Sequence, residues 1–293
     1  MIQLPSPMSR FLDKRDVDAG FLRDRAQFIR TETIRLIEIA KVGHYSSVFS
    51  AAEIFSALYY SVMNIDPENP NHPDRDRFTM GKGHAAVGLY PVLADLGFYP
   101  MSDLDDYAHL GSAFGDHPDM TKISGIDFSS GSIGHALSNG VGMALAGRMT
   151  GRDFNVFVLM GDGEMQEGQV WEAALSASHH CLDRVIAIVD RNGYQLDGKV
   201  DDIITIEPLA DKWRAFGWRV EAVDGHDVDA VRQTLLASKD RERDGIPTCI
   251  IADTQKGKGV EYMEQEPGWH LGYLTPHDAE KAIQEIMRGD VPR

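Results

Sequence analysis

The sequence predicts an α/β fold in which helices flank a doubly wound, mostly parallel sheet. Short apolar runs of buried-strand length alternate with segments that have helical periodicity. A complete strand–helix–strand unit spans residues 154–198, and such units build parallel sheets. No repeat or low-complexity linker divides the chain. We therefore expect a single domain over residues 16–293, preceded by an N-terminal arm at residues 1–15.

Apolar spacing and capping residues place the elements along the chain. The first helix is predicted over residues 17–42, with Gly43 as its stop residue, and the second begins at a capping box of Ser50 and Glu53. The second helix is expected to end near Met63, and residues 200–210 are expected to form a loop. Strands are predicted before Gly81 and at residues 154–160, 184–190, 218–223 and 247–253. Further helices are predicted at residues 84–97, 101–110, 164–180, 211–216 and 228–238. Residues 129–138 open another helix that is expected to end near Met149, and the last helix is expected to begin at Thr275.

The composition excludes several functional classes. The chain has 293 residues with 43% hydrophobic and 25% charged residues, which is ordinary for a globular protein. A net charge of −16 argues against binding to nucleic acid or to an anionic membrane. We expect Cys181 and Cys249 to be reduced core residues. The sequence lacks an 18-residue apolar run and a signal-peptide core, so a cytoplasmic location is expected.

The central unit carries oxygen ligands at the ends of two strands. Gly161-Asp162-Gly163 follows the first strand, and Asn192 follows the second, 30 residues after Asp162 (192 − 162). The carboxyl ends of parallel strands meet at one sheet edge, where open α/β sheets bind ligands. The Asp162 carboxylate, the Asn192 amide and the Tyr194 carbonyl suit Mg²⁺, with Ca²⁺ or Mn²⁺ as substitutes. Either side chain alone is also typical of a turn or a helix cap.

These residues resemble the thiamine-diphosphate-binding motif, and their neighbours are similar to those of transketolases. The similarity is carried by Glu164-Met165-Gln166-Glu167-Gly168-Gln169-Val170-Trp171-Glu172 and by Asp190-Arg191-Asn192-Gly193-Tyr194-Gln195. The resemblance covers residues 25–275 and points to the N-terminal subunit of a split transketolase. It implies the diphosphate-binding domain of the thiamine-diphosphate-binding fold, with thiamine diphosphate and Mg²⁺ as cofactors.

The resemblance also assigns roles to residues on separate loops. It places His84 and His270 at the diphosphate or the reacting centre, and it implies that His44 and His117 hold the substrate hydroxyls or shuttle protons. It places the N–H of Gly163 and the turn at Gly131 on the cofactor, and Ile133 against an aromatic ring of the cofactor. Glu167 resembles the acid that couples to a glutamate of the partner chain, although a surface acid is the alternative. The residues concerned are His44, His84, Gly131, Ile133, His117, Gly163, Glu167 and His270.

Four residues depart from the family pattern, at Tyr45, Lys82, Asp116 and His135. Asp116 replaces a glycine and is expected to favour the imidazolium form of His117. Lys82 can pair with a phosphate or be a solvated turn lysine, and we favour the second interpretation. Lys256 and Lys258 can hold phosphate or belong to a mobile loop, and both alternatives stay open. His226 is interpreted as structural, and His135 has no assigned role.

A partner chain follows from what the resemblance implies. Complete transketolases add a pyrimidine-binding domain and a C-terminal domain, so a partner subunit with both domains is expected in an α2β2 heterotetramer. The expected reaction transfers a two-carbon ketol unit from a ketose to an aldose, as sugars or sugar phosphates. Two alternatives stay open: the alpha subunit of a 2-oxo acid dehydrogenase, and a catalytically silent cofactor-binding scaffold.

Overall fold

The computed structural model describes residues 17–289 and contains a five-stranded sheet in which all neighbouring strands are parallel. The predicted arm at residues 1–15 lies outside the described residues. The sheet order is β1-β2-β3-β7-β6, and the short strands β4 and β5 form an antiparallel pair beside it. The strands are β1 (Arg77–Met80), β2 (Val156–Gly161), β3 (Val185–Arg191), β4 (Tyr194–Gln195), β5 (Gly198–Lys199), β6 (Arg219–Asp224) and β7 (Thr248–Asp253).

Helices cover both faces of the sheet, which confirms the predicted fold class. Along β2, Phe157 and Leu159 pack into one apolar cluster, while Val158 and Met160 pack into another on the opposite face. The helices are α1 (Ala19–Ala40), α2 (Ser46–Phe49), α3 (Ala52–Ala57), α4 (Ala86–Asp95), α5 (Ala136–Met149), α6 (Gly168–His179), α7 (Val200–Ile203), α8 (Leu209–Ala215), α9 (Val228–Lys239) and α10 (Pro276–Arg288). The first cluster includes residues of α1, α3, α4, α9 and α10, and the second includes residues of α5, α6 and α8.

The predicted capping box at Ser50 and Glu53 is wrong. Two helices, α2 and α3, replace the single predicted helix, and α3 continues as a π-helical turn over Leu58–Val62. The hydroxyl of Ser50 donates to Asp190 at 2.7 Å, so it does not cap α3. Glu53 accepts two hydrogen bonds of 2.7 Å from Arg30. A buried guanidinium needs a counter-charge, and this long-range need outweighs the local cap.

Two predicted helix ends also differ from the structure. The left-handed residue that ends α1 is Lys41 (φ 62°), while Gly43 forms an antiparallel bridge with Gly272. The helix predicted over residues 101–110 is a 3₁₀ helix at Met101–Leu104 followed by turns. Ala108 is left-handed there (φ 57°) and donates its N–H to Phe114. The apolar spacing at both places is typical of a helix. Each helix ends earlier than predicted because the backbone there bonds outside the helix, at Gly43 to Gly272 and at Ala108 to Phe114.

Smaller corrections concern the central unit and one cysteine. A 3₁₀ turn at Gly163–Gln166 precedes α6, because Glu167 is extended (ψ 123°) and interrupts the predicted helix. The loop predicted at residues 200–210 contains α7. Cys249 is buried as predicted, but Cys181 is exposed. Among residues 17–289, the helices are too short or too polar to cross a membrane.

The Arg30–Glu53 ion pair predicts how stability depends on pH. Burial alone would raise the pKa of Glu53, but the Arg30 charge and the hydrogen bonds from His226 and Arg30 together outweigh burial and hold this pKa at about 2, below the ordinary 4.5. Because the unfolded chain binds the proton more tightly, this stabilisation is complete above about pH 4.5 and is lost as the pH falls towards 2. Glu53→Gln should lower the free energy of unfolding by about 3–5 kcal/mol at pH 7, because Arg30 stays buried without its counter-charge.

Urea unfolding at pH 7 and pH 3 checks this expectation, and the difference between wild type and variant should be smaller at pH 3. Asp211→Asn is the control, because the Asp211 side chain is 70% exposed beside Arg214. It should change the unfolding free energy by less than about 1 kcal/mol. Equal losses in the two variants would contradict the assigned role of Glu53.

Candidate active site

The carboxyl ends of β2 and β3 bring the predicted metal ligands to one place. Gly161 of β2 is in register with Asp190 of β3, so the turns that follow these strands lie side by side. Asp162 is 1% exposed, and its carboxylate accepts the N–H groups of Gly163 at 2.9 Å and Gly193 at 2.5 Å. Asn192 directly precedes Gly193, so the two predicted side-chain ligands meet across this turn. The amide oxygen of Asn192 accepts the N–H of Tyr194 at 3.1 Å.

This donor set fits a cation that prefers oxygen. Burial raises the pKa of Asp162 to about 7, the Asp190 charge acts in the same direction, and the two N–H groups act against them. A divalent cation would compensate the buried negative charge. The described part of the chain has no cluster of three or more His, Cys, Asp or Glu suited to a metal. The predicted set instead combines one carboxylate, one amide oxygen and one main-chain carbonyl, which is typical of Mg²⁺ sites.

The four predicted histidines come together although they lie on four separate loops. The ring of His44 lies 4.9 Å from His84, 5.2 Å from His270 and 6.4 Å from His117, measured between ring centres. His84 and His270 lie 5.1 Å apart. Nε2 of His84 lies 2.9 Å from the Ser47 hydroxyl. His44 therefore lies between an inner pair, His84 and His270, and the more exposed His117.

A cavity of about 320 Å³ connects the inner histidines with the predicted metal ligands. Ile133, Gly163 and Glu167 line it, and the contacts that the resemblance assigns to them stay predictions. Gly131 is exposed and is not among its lining residues, so the predicted contact of Gly131 with the cofactor stays a prediction. The other lining residues are Ser47, Lys82, His84, Gly161, Asp162, Glu164, Gln166, Asn192, Tyr194, Gln195, Leu196, Lys256 and His270.

The cavity keeps its inner imidazoles neutral. Burial lowers the pKa of His84 well below its ordinary value, and the Lys82 charge adds to this effect. Burial also lowers the pKa of His270 to about 3, with the Lys256 charge as the next cause. At neutral pH each of these imidazoles therefore has one N–H donor and one acceptor nitrogen.

Comparison with known proteins decides the family. Residues 23–286 match the family model described as "Transketolase, thiamine diphosphate binding domain". The chain belongs to the transketolase family. It is 40% identical to the 6-deoxy-6-sulfo-D-fructose transketolase subunit SqwG of Clostridium sp. (strain MSTE9), covering 91% of this chain and 96% of the relative. It is 38% identical to one subunit of the apulose-4-phosphate transketolase of Phocaeicola vulgatus, covering 86% and 90% respectively.

Solved transketolase structures have the same fold over less than half of their length. The structure of transketolase from Campylobacter jejuni superposes with a TM-score of 0.86 at 28% identity. The match covers 92% of this chain but 43% of that enzyme. The prediction of a split-transketolase subunit with transferase activity is confirmed, because the relatives of similar length are named transketolase subunits.

The prediction that Lys82 is a solvated turn lysine of this transketolase subunit is wrong. Lys82 is 3% exposed, and its ammonium contacts the Asp190 carboxylate. Asp190 is completely buried and also accepts hydrogen bonds from Ser50 at 2.7 Å and from Thr254. The amide of Asn192 lies 3.4 Å from the same carboxylate. The sequence conceals this pair because Lys82 and Asp190 lie 108 residues apart.

Lys256 also lies inside the site, so the mobile-loop alternative is wrong for this lysine. It is 2% exposed, and Nζ lies 3.2 Å from Nδ1 of His270 and 3.4 Å from the carbonyl oxygen of Gln195. Burial lowers the pKa of Lys256 to about 8, and the Lys82 charge acts in the same direction. The neighbouring N–H of Gln255 donates to Nε2 of His226 at 2.8 Å, which supports the structural interpretation of His226.

Sequence reasoning assigned no role to four residues that line the cavity, namely Ser47, Gln166, Gln195 and Glu164. Ser47 lies three residues after His44, and this spacing alone places it one helical turn further along the chain. Gln166 and Gln195 share a hydrogen bond of 2.7 Å across the cavity wall, and their sequence contains no comparable signal. Glu164, a further unassigned residue, accepts the N–H groups of Gly134 at 2.7 Å and Gly161 at 3.3 Å.

The Glu164 carboxylate also requires a glycine in the turn after β1. A Cβ atom placed on Gly81 would lie 1.9 Å from Oε1 of Glu164. The pKa of Glu164 is raised to about 7, first by burial, against the effect of its two N–H donors. Glu164 thus connects the end of β2, the loop before α5 and the turn after β1, all of which border the cavity.

Lys82→Met should destabilise the protein by about 3–5 kcal/mol, because it leaves the Asp190 carboxylate buried without a counter-charge. The double variant Lys82→Met/Asp190→Asn should recover part of this loss. Urea unfolding of the wild type, both single variants and the double variant measures the coupling energy. Lys199→Met, at an exposed lysine, is the control. A loss below about 1 kcal/mol for Lys82→Met would show that the ion pair is unimportant for stability.

Proposed function

We propose that this chain is the cofactor-diphosphate-binding subunit of a thiamine-diphosphate-dependent transketolase. The reaction transfers a two-carbon ketol unit from a ketose to an aldose, as free sugars or sugar phosphates. One observation carries the proposal: imidazoles from four loops meet, and the inner two line one cavity with Asp162 and Asn192 at the carboxyl end of the sheet. Transketolase family membership supports the same reaction class.

The residues at the end of the sheet suit the metal and the diphosphate. Asp162, Asn192 and the Tyr194 carbonyl would hold Mg²⁺, for which Ca²⁺ or Mn²⁺ can substitute. Lys256 and the N–H of Gly163 would face the diphosphate, although Gly163 donates to Asp162 in this structure. When bound, thiamine diphosphate supplies the nucleophilic carbanion of its thiazolium ring.

The chain's own contribution is to orient the sugar and to move protons. Because His84 and His270 are neutral at pH 7, each can donate one hydrogen bond and accept another at a sugar hydroxyl or carbonyl. His44 and His117 lie on the outer side of this histidine pair and would bind the hydroxyls of the ketose donor. The buried floor of the cavity excludes water from the reacting atoms, which strengthens these polar contacts.

A second polypeptide completes the proposed site. The chain spans 43% of the length of the Campylobacter enzyme, and its relatives of similar length are named as subunits. Apolar side chains at and beside the cavity are exposed and a partner would cover them: Leu196, which lines the cavity, is 59% exposed, and Ile204, whose carbonyl accepts a hydrogen bond from Gln166 of the lining, is 61% exposed. We propose a partner with the pyrimidine-binding and C-terminal domains, in an α2β2 assembly, with Glu167 facing the partner's glutamate. The predicted cytoplasmic location stays a prediction.

The relatives suggest a specialised sugar as the donor. The named relatives act on 6-deoxy-6-sulfo-D-fructose and on apulose 4-phosphate. Both names describe modified or branched ketoses, and this chain departs from the common transketolase pattern around the same imidazole cluster. We propose a modified ketose as the physiological donor. Oxidative decarboxylation of a 2-oxo acid would instead favour the dehydrogenase alternative, and cofactor binding without turnover would favour the silent scaffold.

Asp162→Asn should weaken Mg²⁺-dependent binding of thiamine diphosphate at least about 10-fold, because a neutral amide replaces the charged ligand. Calorimetric titration of the full chain with thiamine diphosphate, with and without Mg²⁺, measures this change. Asp202→Asn is the matched control, because Asp202 is exposed on α7. The metal assignment fails if both variants bind the cofactor as tightly as the wild type does.

The isolated chain should not turn over ketoses, because the pyrimidine-binding half of the cofactor site is supplied by the partner. Mixing the chain with its co-purified partner should restore ketol transfer, measured with a panel of modified ketoses and aldose acceptors. Full turnover by the isolated chain would refute the two-chain site.

In the assembled enzyme, Glu167→Gln should lower kcat by about 10- to 100-fold and change cofactor affinity little.

A further inference from the structure

The outer end of the imidazole cluster contains a carboxylate between two histidines. Oδ1 of Asp116 lies 3.2 Å from Nδ1 of His44, and Oδ2 of Asp116 lies 3.2 Å from Nδ1 of His117. Each carboxylate oxygen therefore faces a different imidazole, and both imidazoles approach through the same ring nitrogen. The His44 side chain is 12% exposed, whereas Asp116 and His117 are 37% and 42% exposed. Asp116 thus joins a buried histidine to a histidine at the rim.

The charge of Asp116 decides which partner donates the hydrogen in each of these two contacts. Burial alone would raise the pKa of Asp116, but its hydrogen bonds with His117 and His44 outweigh burial and hold this pKa below its ordinary value. Asp116 is consequently ionised at neutral pH and can only accept hydrogen bonds. Both histidines must then carry a proton on Nδ1 to donate to it. In a neutral imidazole this arrangement makes Nε2 the acceptor nitrogen.

We propose that Asp116 is a positioning residue that keeps a proton on Nδ1 of His44 and His117, so that in the neutral form of each imidazole Nε2 accepts a hydrogen from a hydroxyl of the ketose donor. This inference rests on the proposed function. The family pattern that this loop resembles has a glycine at this position, so the carboxylate departs from that pattern.

Asp116 also selects a chemical class of ligand at this end of the site. The carboxylate repels anionic groups nearby, whereas a hydroxymethyl ketone offers uncharged hydroxyl donors. The lysines that line the cavity lie elsewhere, at its buried end, where Lys82 pairs with Asp190 and Lys256 contacts His270. A ketose therefore binds His44 and His117 with its neutral hydroxylated end, and a phosphate or sulfonate on the same sugar lies away from Asp116.

Imidazole ¹⁵N NMR of the full chain, labelled at histidine, tests the tautomers directly. His44→Gln and His117→Gln assign the two resonances. The wild type should show both imidazoles with the proton on Nδ1. In Asp116→Asn, one imidazole should change to the Nε2–H tautomer, because the amide accepts one hydrogen bond but donates the other. In Asp116→Gly, both should lose the fixed tautomer. Asp119→Asn is the control, because its carboxylate binds Thr121 in the same loop.

Steady-state kinetics of the enzyme assembled with its partner tests the consequence. Asp116→Gly should lower kcat/KM for the ketose donor by about 10- to 100-fold and leave the Kd of thiamine diphosphate unchanged. Asp119→Asn should match the wild type in both measurements. Unchanged tautomers in Asp116→Gly, or changed tautomers with unchanged donor kcat/KM, would overturn the proposal. Absence of ketol transfer in the assembled wild type would refute the proposed function instead, and the NMR result would still decide the tautomers.

Discussion

The arrangement of the site depends on the ion pair and the hydrogen bonds of the buried Asp190 carboxylate. It lies at the carboxyl end of β3 and is completely buried. Lys82, Ser50 and Thr254 come to it from the turn after β1, the junction of α2 and α3, and the end of β7. An unpaired carboxylate in this position would be strongly unfavourable, so the polar partners must all converge there. This convergence joins the turn that precedes His84 to the α2–α3 junction and to the end of β7.

Charges are separated along the site because burial differs between its two ends. The inner end contains two buried lysines beside neutral His84 and His270, whereas the outer end contains the partly exposed Asp116. Lys256 at the inner end suits a diphosphate, and the Asp116 carboxylate at the outer end suits a hydroxylated sugar. The two ends of the histidine cluster thereby offer different chemistry to cofactor and substrate. The whole chain has a net charge of −16, which says nothing about this local pattern.

The helices and strands were largely predictable from local sequence. The predictions were wrong where a side chain or a backbone group bonds to a residue far along the chain instead of to its neighbours. The strand predicted at residues 184–190 is β3 at Val185–Arg191, because a continuous apolar run is typical of a strand buried on both faces. The predicted capping box does not form because Glu53 accepts hydrogen bonds from Arg30 and Ser50 donates to Asp190. The interpretation of Lys82 failed for the same reason, since a turn lysine and a buried ion-pair lysine look alike in sequence.

The sequence by itself determined the alternation of strands and helices, and with it the position of Asp162 and Asn192 after two strands. These features depend on residue type and on spacing within short segments, which local physics governs. Only the tertiary structure decided that four loops bring their imidazoles together, and that Lys256 lies inside the cavity. It also decided that Asp116 faces two histidines at once. Such contacts join residues far apart in the chain, and their energies depend on burial, which a linear sequence does not specify.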